Sequence, residues 1–512
     1  MRRPVWLERM LLRALCALIL SVALTGCAGS VRPVAHGPDI SVNAEPDAFL
    51  IAQNQARETD GLPSLTLLNS GQKALLSRAA LIETASQRID AQYYIWNDDA
   101  SGRYLASRLL AAADRGVVVR LLLDDINVAG NEPLFAQLDA HSNIQVRIFN
   151  PISAREGLGQ WLSFITDFDR INRRMHNKTF VVDGLVGIAG GRNIGDEYFD
   201  QHPTLNFRDR DVMVLGELTG EMTSNFEAYW NSAWTLPLKQ LYPEPAIAGG
   251  VDVFGEPESL KAPVPRDRKA ARKYLARLFG EMVSAPAELV FDLPPENPDA
   301  PADEPKQVAE TLYRLVDKVQ SEILIESAYL VLTDQQLRNL IGKLDHKVDV
   351  AALTNSLASN DLVTNHSGYA RWREAMLEQG MELHELRPDA MGCQLWVAVS
   401  SACQNGAVSL HSKAVVLDRK TLFVGSFNVN LRSIYLNGET VLVIHSPELA
   451  SAVARDIRFA MEPGNSWQVQ LNGDGEMVWR SGDEEFYQEP EVGFWRRTIS
   501  RVLSWLPIEK YL

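Results

Sequence analysis

The sequence predicts an α/β protein built as two similar lobes. Each lobe is a mixed sheet flanked by helices, and pseudo-twofold symmetry places one site between them. Three observations carry this prediction. A stretch occurs twice, as Met175-His176-Asn177-Lys178-Thr179-Phe180-Val181-Val182-Asp183 and as Leu410-His411-Ser412-Lys413-Ala414-Val415-Val416-Leu417-Asp418. His, Lys, Asp and a downstream Asn recur at one offset: 411 − 176 = 413 − 178 = 418 − 183 = 428 − 193 = 235. Ahead of both copies, helical patterns alternate with apolar runs, as in βαβ units with a largely parallel run of strands.

The first residues read as a processed leader. Arg2, Arg3, Arg9 and Arg13 precede the apolar run Ala14 to Leu24. That run is shorter than the roughly 20 residues needed to span a bilayer. It ends in Leu24-Thr25-Gly26-Cys27, which resembles the bacterial lipoprotein lipobox and implies cleavage before Cys27 and acylation of its sulfur. Ala28 resembles the signal for transfer to the outer membrane. The expectation is a signal peptide over 1–26 and a tether over 27–55, with the protein on the periplasmic side of the cell envelope. Several acyl chains on one residue would anchor it firmly.

Lobe 1 is expected over 56–240. Leu75 to Thr84 and Gly102 to Ala113 have helical patterns; Arg88 to Trp96, Val117 to Leu123 and Ile144 to Phe149 read as strands. Leu158 to Met175, with Trp161, Phe164, Arg170, Arg173 and Arg174, reads either as a core helix or as an apolar lip and basic collar at the mouth of the site. Residues 241–306 read as an inter-lobe linker region, Pro- and acid-rich from Leu293 to Pro305, with a helix at Lys269 to Phe279. Lobe 2, over 307–465, repeats the plan with helices at Val308 to Val319, Asp334 to Leu344 and Tyr369 to Gln379. Its strands are Glu322 to Tyr329, Val348 to Leu353 and Met381 to Leu386. The tail, 466–512, holds a basic, Trp-flanked amphipathic run from Phe494 to Pro507, suited to a membrane interface or to docking on the protein. Cys393 and Cys403 stand just before the second motif; in an oxidising periplasm they can form a disulfide, with two free thiols as the alternative.

The repeated motif defines the chemistry. On a strand, residues i and i+2 share a face, so His176 projects with Lys178 and His411 with Lys413. Asp183-Gly184 is a hairpin-turn dipeptide, which gives Asp183 and Asp418 a role in shaping the turn and holding charge rather than in touching substrate. Small residues at Gly190-Gly191 and Gly425-Ser426 let Asn193 and Asn428 approach the same pocket. Lysines and asparagines donate to phosphate oxygens. Two imidazoles suit a two-step displacement at phosphorus, one as nucleophile and the other as acid and base. Asp211 and Glu439, each opening an apolar strand after its motif, are the expected orienters of the rings; Asp209 competes with Asp211.

The doubled H-x-K-x4-D with its downstream Asn resembles the signature of the phospholipase D superfamily, and most of the chain after about residue 55 resembles the bacterial cardiolipin synthases, the C-type among them. The matching stretches are Arg174 to Phe180, Gly190 to Phe199, Leu353 to Asp361, His366 to Tyr369 and Leu506 to Glu509. The resemblance implies phosphatidyl transfer with no metal or other cofactor, His176 as nucleophile and His411 as acid/base. The implied partners are membrane phospholipids, phosphatidylglycerol and phosphatidylethanolamine among them. It implies as catalytic set His176, Lys178, Asp183, His411, Lys413 and Asp418. Departures are Asn430-Leu431, where Asp-Pro is common, and Leu332, where Pro is common. The lipobox also departs, since cardiolipin synthesis is usually an inner-membrane activity. Alternatives are a hydrolase releasing phosphatidic acid and a periplasmic nuclease or phosphodiesterase. The net charge of −15 argues against a broad nucleic-acid-binding surface.

Overall fold

Strand β2 (Arg88–Tyr93) pairs in parallel with β3 (Val118–Asp124), and β3 with β4 (Ile144–Phe149). In the second half of the chain β12 (Glu322–Ser327), β13 (Asp349–Asn355) and β14 (Glu382–Leu386) pair in the same way. These triplets are the parallel parts of the two large sheets; their other pairings are antiparallel. The parallel run is therefore shorter than the βαβ pattern suggested, because each motif hairpin returns against β2 or β12. The computed structural model describes residues 39–57, 61–152, 168–242, 260, 262–297, 301–332, 334–345, 347–397, 401–404, 408–505 and 509–511. The expected signal peptide, Cys27, most of the Leu158 to Met175 stretch and Leu506 to Ile508 lie outside the described residues.

The first motif forms a hairpin of β5 (Thr179–Val182) and β6 (Val186–Gly190), followed by β8 (Asp211–Leu215). The second forms β16 (Lys413–Leu417) and β17 (Thr421–Gly425), followed by β18 (Thr440–His445). Strand order runs β8-β6-β5-β2-β3-β4 in one sheet and β18-β17-β16-β12-β13-β14 in the other, the same order twice. The pseudo-twofold plan is thus present at the level of topology. The two sheets share one apolar cluster: Leu65, Val181 and Val212 pack with Leu324, Val416 and Leu442, all buried. A short parallel ladder of β7 (Asn206–Arg208) with β15 (Val408–Leu410) ties the lobes beside the site.

Helices cover the outer faces. Ser70 caps α2 (Gly71–Thr84) by accepting from Lys73 N–H, and Asp99 caps α3 (Ala100–Asp114) by accepting from Gly102 N–H. Both turn Ala- and Leu-rich faces onto the first sheet. In lobe 2, α9 (Pro447–Met461) starts with Ser446 as cap and Pro447 in its first turn, and buries Leu449, Val453 and Ile457.

Three expected boundaries shift. The tether ends in a docked helix, α1 (Ala48–Arg57): Leu50 is fully buried, Phe49 stacks on Phe279, and Asp47 pairs with Arg272. The expected linker region supplies α5 (Arg268–Gly280), packed on α2, and one edge strand to each sheet: β10 (Val283–Ser284) beside β1 (Ser64–Leu68), and β11 (Ala287–Phe291) beside β18. The tail begins with β19 (Ser466–Leu471), β20 (Met477–Ser481) and β21 (Glu484–Phe486), which extend the second sheet and bury Trp467 and Trp479. Cys393 and Cys403 are joined by a disulfide.

Candidate active site

Chain geometry brings the two motifs to one cavity. His176 lies just before β5; its N–H donates to Gly438 O at 2.8 Å, and Gly438 N–H donates to Arg174 O. His411 lies just before β16, with its own N–H and that of Ser412 donating to Arg208 O. Each histidine is thus held by backbone of the opposite lobe. Both rings line a cavity of about 440 Å³, together with Tyr94, Asn193, Tyr198, Tyr329, Asp361, Asn428 and Arg432.

The acidic partners are exchanged between lobes. His176 Nδ1 lies 2.8 Å from Oε2 of Glu439, and His411 Nδ1 lies 2.6 Å from Oδ2 of Asp209. Glu439 also accepts from the hydroxyls of Ser426 and Ser433 and from Asn437 Nδ2, so it is fixed from several sides. Asp211 is not an orienter. It pairs with Arg78 at 3.0 Å and accepts from Arg192 N–H, one layer below. Sheet register explains the correction. Gly190 faces Asp211 and Gly425 faces Val441, so Asp211 is the counterpart of Val441. Two positions upstream of each stand Asp209 and Glu439. The first lobe uses 211 − 190 = 21 positions for this segment and the second 441 − 425 = 16, which hides the equivalence in the sequence.

The small residues after β6 and β17 make room for these acids. A Cβ on Gly191 would stand 2.2 Å from Asp209 Oδ1. At the matching position in lobe 2 is Ser426, whose hydroxyl donates to Glu439. Glycine admits the acid in one lobe, and serine bonds it in the other.

Both lysines are buried beside the histidines and do not line the cavity. Lys178 Nζ donates to His176 O at 2.5 Å, and Lys413 Nζ donates to His411 O. Burial lowers Lys178 to about 7 and Lys413 to about 8. Burial also draws both histidines down to about 4, against the pull of Glu439 and Asp209, while each sequence-neighbouring lysine lowers them further. Burial opposes ionisation of Glu439 and Asp209, but His176 and His411 with the lysines outweigh it and leave both carboxyls below their usual range. Burial thus disfavours the positive forms of both histidines and both lysines, and an anion placed among them would favour those forms.

The asparagines differ. Asn193 donates to Tyr198 OH at 3.0 Å and accepts from Ile95 N–H. Asn428 lines the cavity, and its Oδ1 is buried with no hydrogen-bond partner among the described residues. Asp183 and Asp418 stand away from the cavity, correcting their place in the catalytic set. Both lie in left-handed turns (φ 53° and 51°). Asp183 accepts from the backbone N–H groups of Asp47, Ser86, Gln87 and Arg88, and Asp418 from those of Gln320, Ser321 and Glu322. Each fastens the start of its lobe's central strand. Among the other cavity residues, Tyr94 lies edge-on to His176 with ring centres 5.1 Å apart, and Tyr198 and Phe207 flank His411. Asn430 lines the cavity and caps the short helix that follows it; Leu332 is in the core. Tyr94, Tyr329 and Arg432 carried no motif signal. Among the described residues, no group of three or more His, Cys, Asp or Glu is placed to hold a metal ion.

A family profile described as "Cardiolipin synthase, PLD-like domain" matches residues 79–230 and 312–459, one segment per lobe. The chain is 38% identical over 449 residues to cardiolipin synthase C of Escherichia coli strain K12, covering 85% of this chain and 93% of that protein. It is 28% identical to an uncharacterized protein of Helicobacter pylori strain 26695, over 94% of this chain and 96% of that protein. In fold it is similar to the phosphatidylserine synthase of Haemophilus influenzae Rd KW20, with a TM-score of 0.58 and 14% identity over 90% of this chain and all of the other. With one profile segment on each half of a doubled His/Lys site, the chain belongs to the phospholipase D superfamily, in the PLD-like family of the cardiolipin synthases, and is an enzyme of the phosphatidyltransferase kind.

Proposed function

We infer that the protein transfers a phosphatidyl group between glycerophospholipids in the manner of a cardiolipin synthase, through a phosphohistidine. The carrying observation is the pair of buried imidazoles on one cavity, each with Nδ1 anchored to a carboxylate of the other lobe. A carboxylate on Nδ1 keeps the proton there and leaves the Nε2 lone pair for chemistry. His176 Nε2 attacks phosphorus and a P–N bond forms. The P–O bond to the headgroup breaks, and the departing alkoxide takes a proton from His411. An incoming alcohol then gives its proton to His411, its oxygen attacks phosphorus, and the P–N bond breaks. His411 must be protonated at the first step; the anionic phosphodiester, placed among Lys178, Lys413, Asn193 and Asn428, supplies the charge that lifts its pKa.

The relatives' name, cardiolipin synthase, supports phosphatidylglycerol as the acceptor, and phosphatidylglycerol and phosphatidylethanolamine are the donors to test. The lipobox supports acylation of Cys27, Ala28 supports outer-membrane placement, and the amphipathic tail suits a second membrane contact. No helix among the described residues is long and apolar enough to cross a membrane. The test is incubation of purified protein with phosphatidylglycerol, with and without phosphatidylethanolamine. Cardiolipin is the expected product. Phosphatidic acid in its place would make water the acceptor, and neither product would reject the reading. Cys27→Ser is expected to block acylation and the cleavage before residue 27, read as loss of the acylated mass and retention of residues 1–26.

A further inference from the structure

Large exposed apolar side chains gather on one part of the surface. Phe494, Trp495, Ile499 and Val502 lie on α10 (Phe494–Leu503), and Trp505 just beyond it; both tryptophans are 75% exposed. Ser500 is the one buried residue of this helix. The helix carries three arginines and no carboxylate. A surface helix of a globular protein ordinarily turns such an apolar stripe inward.

The helix is nonetheless firmly placed. Ser500 Oγ lies 3.4 Å from His366 Nδ1, on α8 (Val363–Glu378), and Arg496 donates to Asn360 O. The first turn of α8 lines the catalytic cavity through Thr364 and Asn365. Three further exposed apolar side chains surround the same cavity. Ile126 and Leu362 border it, and Phe168 rests edge-on against Tyr511, which also lines it, with ring centres 4.7 Å apart.

We propose that α10 and this rim form one docking face for an anionic bilayer surface, seating the cavity mouth on the membrane that holds the substrate. The proposal rests on the phospholipid reading of the site. Exposed tryptophans on an apolar helix match the interfacial zone, where rings lie at headgroup depth. Arg496 donates to Asn360 O and Arg497 is bound to Glu489, so exposed Arg501 is the guanidinium of this helix that is placed to meet phosphate. The absence of acid on the helix fits a negatively charged partner. Continuity with the cavity selects a bilayer over a protein, because a protein seated on this face would cover the entrance through which a lipid must come.

The test compares full-length wild type with Trp495→Glu/Ile499→Glu on two substrates. One is phosphatidylglycerol in phosphatidylcholine vesicles, and the other a short-chain phosphatidylglycerol below its micelle concentration. Turnover on vesicles is expected to fall roughly tenfold or more, and turnover of the monomeric lipid by less than about twofold. Unchanged vesicle turnover, or equal loss on both substrates, overturns the proposal. Quenching of tryptophan fluorescence by brominated lipid gives a second readout. Wild type should be quenched, and Trp495→Phe/Trp505→Phe much less; an equal response in both also overturns it. His411→Ala should be quenched like wild type. A quenched wild type that turns over neither substrate therefore rejects the transfer reading and upholds the docking face.

Discussion

The carboxylate of Glu439 stands 2.8 Å from Nδ1 of His176, a residue 263 positions away in the other lobe. Glu439→Gln is expected to keep the hydrogen bond but not the charge or the tautomer. By analogy with other His–carboxylate pairs, the loss in kcat is about 10³–10⁴-fold. Asp209→Asn should behave alike. Asp211→Asn should not: its loss, from breaking the buried pair with Arg78, is about 3–5 kcal/mol of stability, with kcat of the folded fraction retained. Parallel kcat and urea-unfolding measurements separate the two classes. Equal kinetic damage from Asp209→Asn and Asp211→Asn would refute the assignment.

Gly191 tests the same contact from behind. Its missing Cβ is the space that Asp209 Oδ1 fills, 2.2 Å from where the methyl would be. Gly191→Ala should push Asp209 off His411, lowering kcat at least about tenfold while the melting temperature moves by only a few degrees, about 2–4 °C. Normal turnover in a folded Gly191→Ala protein would show that the room is not needed.

Asp183 is expected to matter for folding and not for chemistry. It accepts three backbone N–H groups at the start of β2 and a fourth from Asp47 ahead of α1, while sitting at φ 53°. Asp183→Gly tolerates the turn but orphans those donors, at a cost of about 2–4 kcal/mol. Asp183→Ala adds left-handed strain of about 1 kcal/mol. Chemical denaturation should rank wild type, Gly and Ala in that order. Turnover per folded molecule should stay within about threefold, and a kcat collapse with stability intact would return Asp183 to the catalytic set.

Stability should fall on acidification. Both histidines have folded-state values of about 4 against the usual 6.5. Between these values the unfolded chain binds more protons. The contribution is therefore complete above pH 6.5 and lost as pH falls towards 4, at most on the order of 3 kcal/mol per histidine. Lys178 and Lys413 carry the same sign at higher pH, since their folded-state values also lie below the usual 10.5. Urea midpoints taken from pH 8 to 4.5 should decline steadily below 6.5. A flat profile there would mean the rings are not buried neutral.

Much of the site was legible because it is local. His, Lys and Asn recur on an apolar frame, and strand alternation alone places His and Lys together. The orienting acid of His411 was not legible, because Asp209 and Asp211 are two apart and share a face by the same alternation. Only cross-strand register against Gly190 separates them, and the unequal segment lengths remove the offset that served elsewhere. β10 and β11 read as linker since two short, half-exposed edge strands lack an alternating pattern long enough to recognise. The hairpin of β19 and β20 was hidden behind the more conspicuous basic helix, although Trp467 and Trp479 were its core. Tyr94 enters the cavity from the bend after β2 and Arg432 from the short helix that Asn430 caps, and the place of each depends on packing at a distance.

The exchange of Asp209 and Glu439 across the pseudo-twofold axis makes neither half of the chain self-sufficient. A single lobe would carry an unsupported imidazole and an unemployed carboxylate. Two identical one-lobe chains would have needed the same reciprocal gift of acids across their axis, so fusion of two such chains would preserve the chemistry without redesign. Once fused, the halves can diverge in their loops and still not in this exchange. A change beside Asp209 is felt 202 residues later at His411, and the reaction itself keeps the two halves in step.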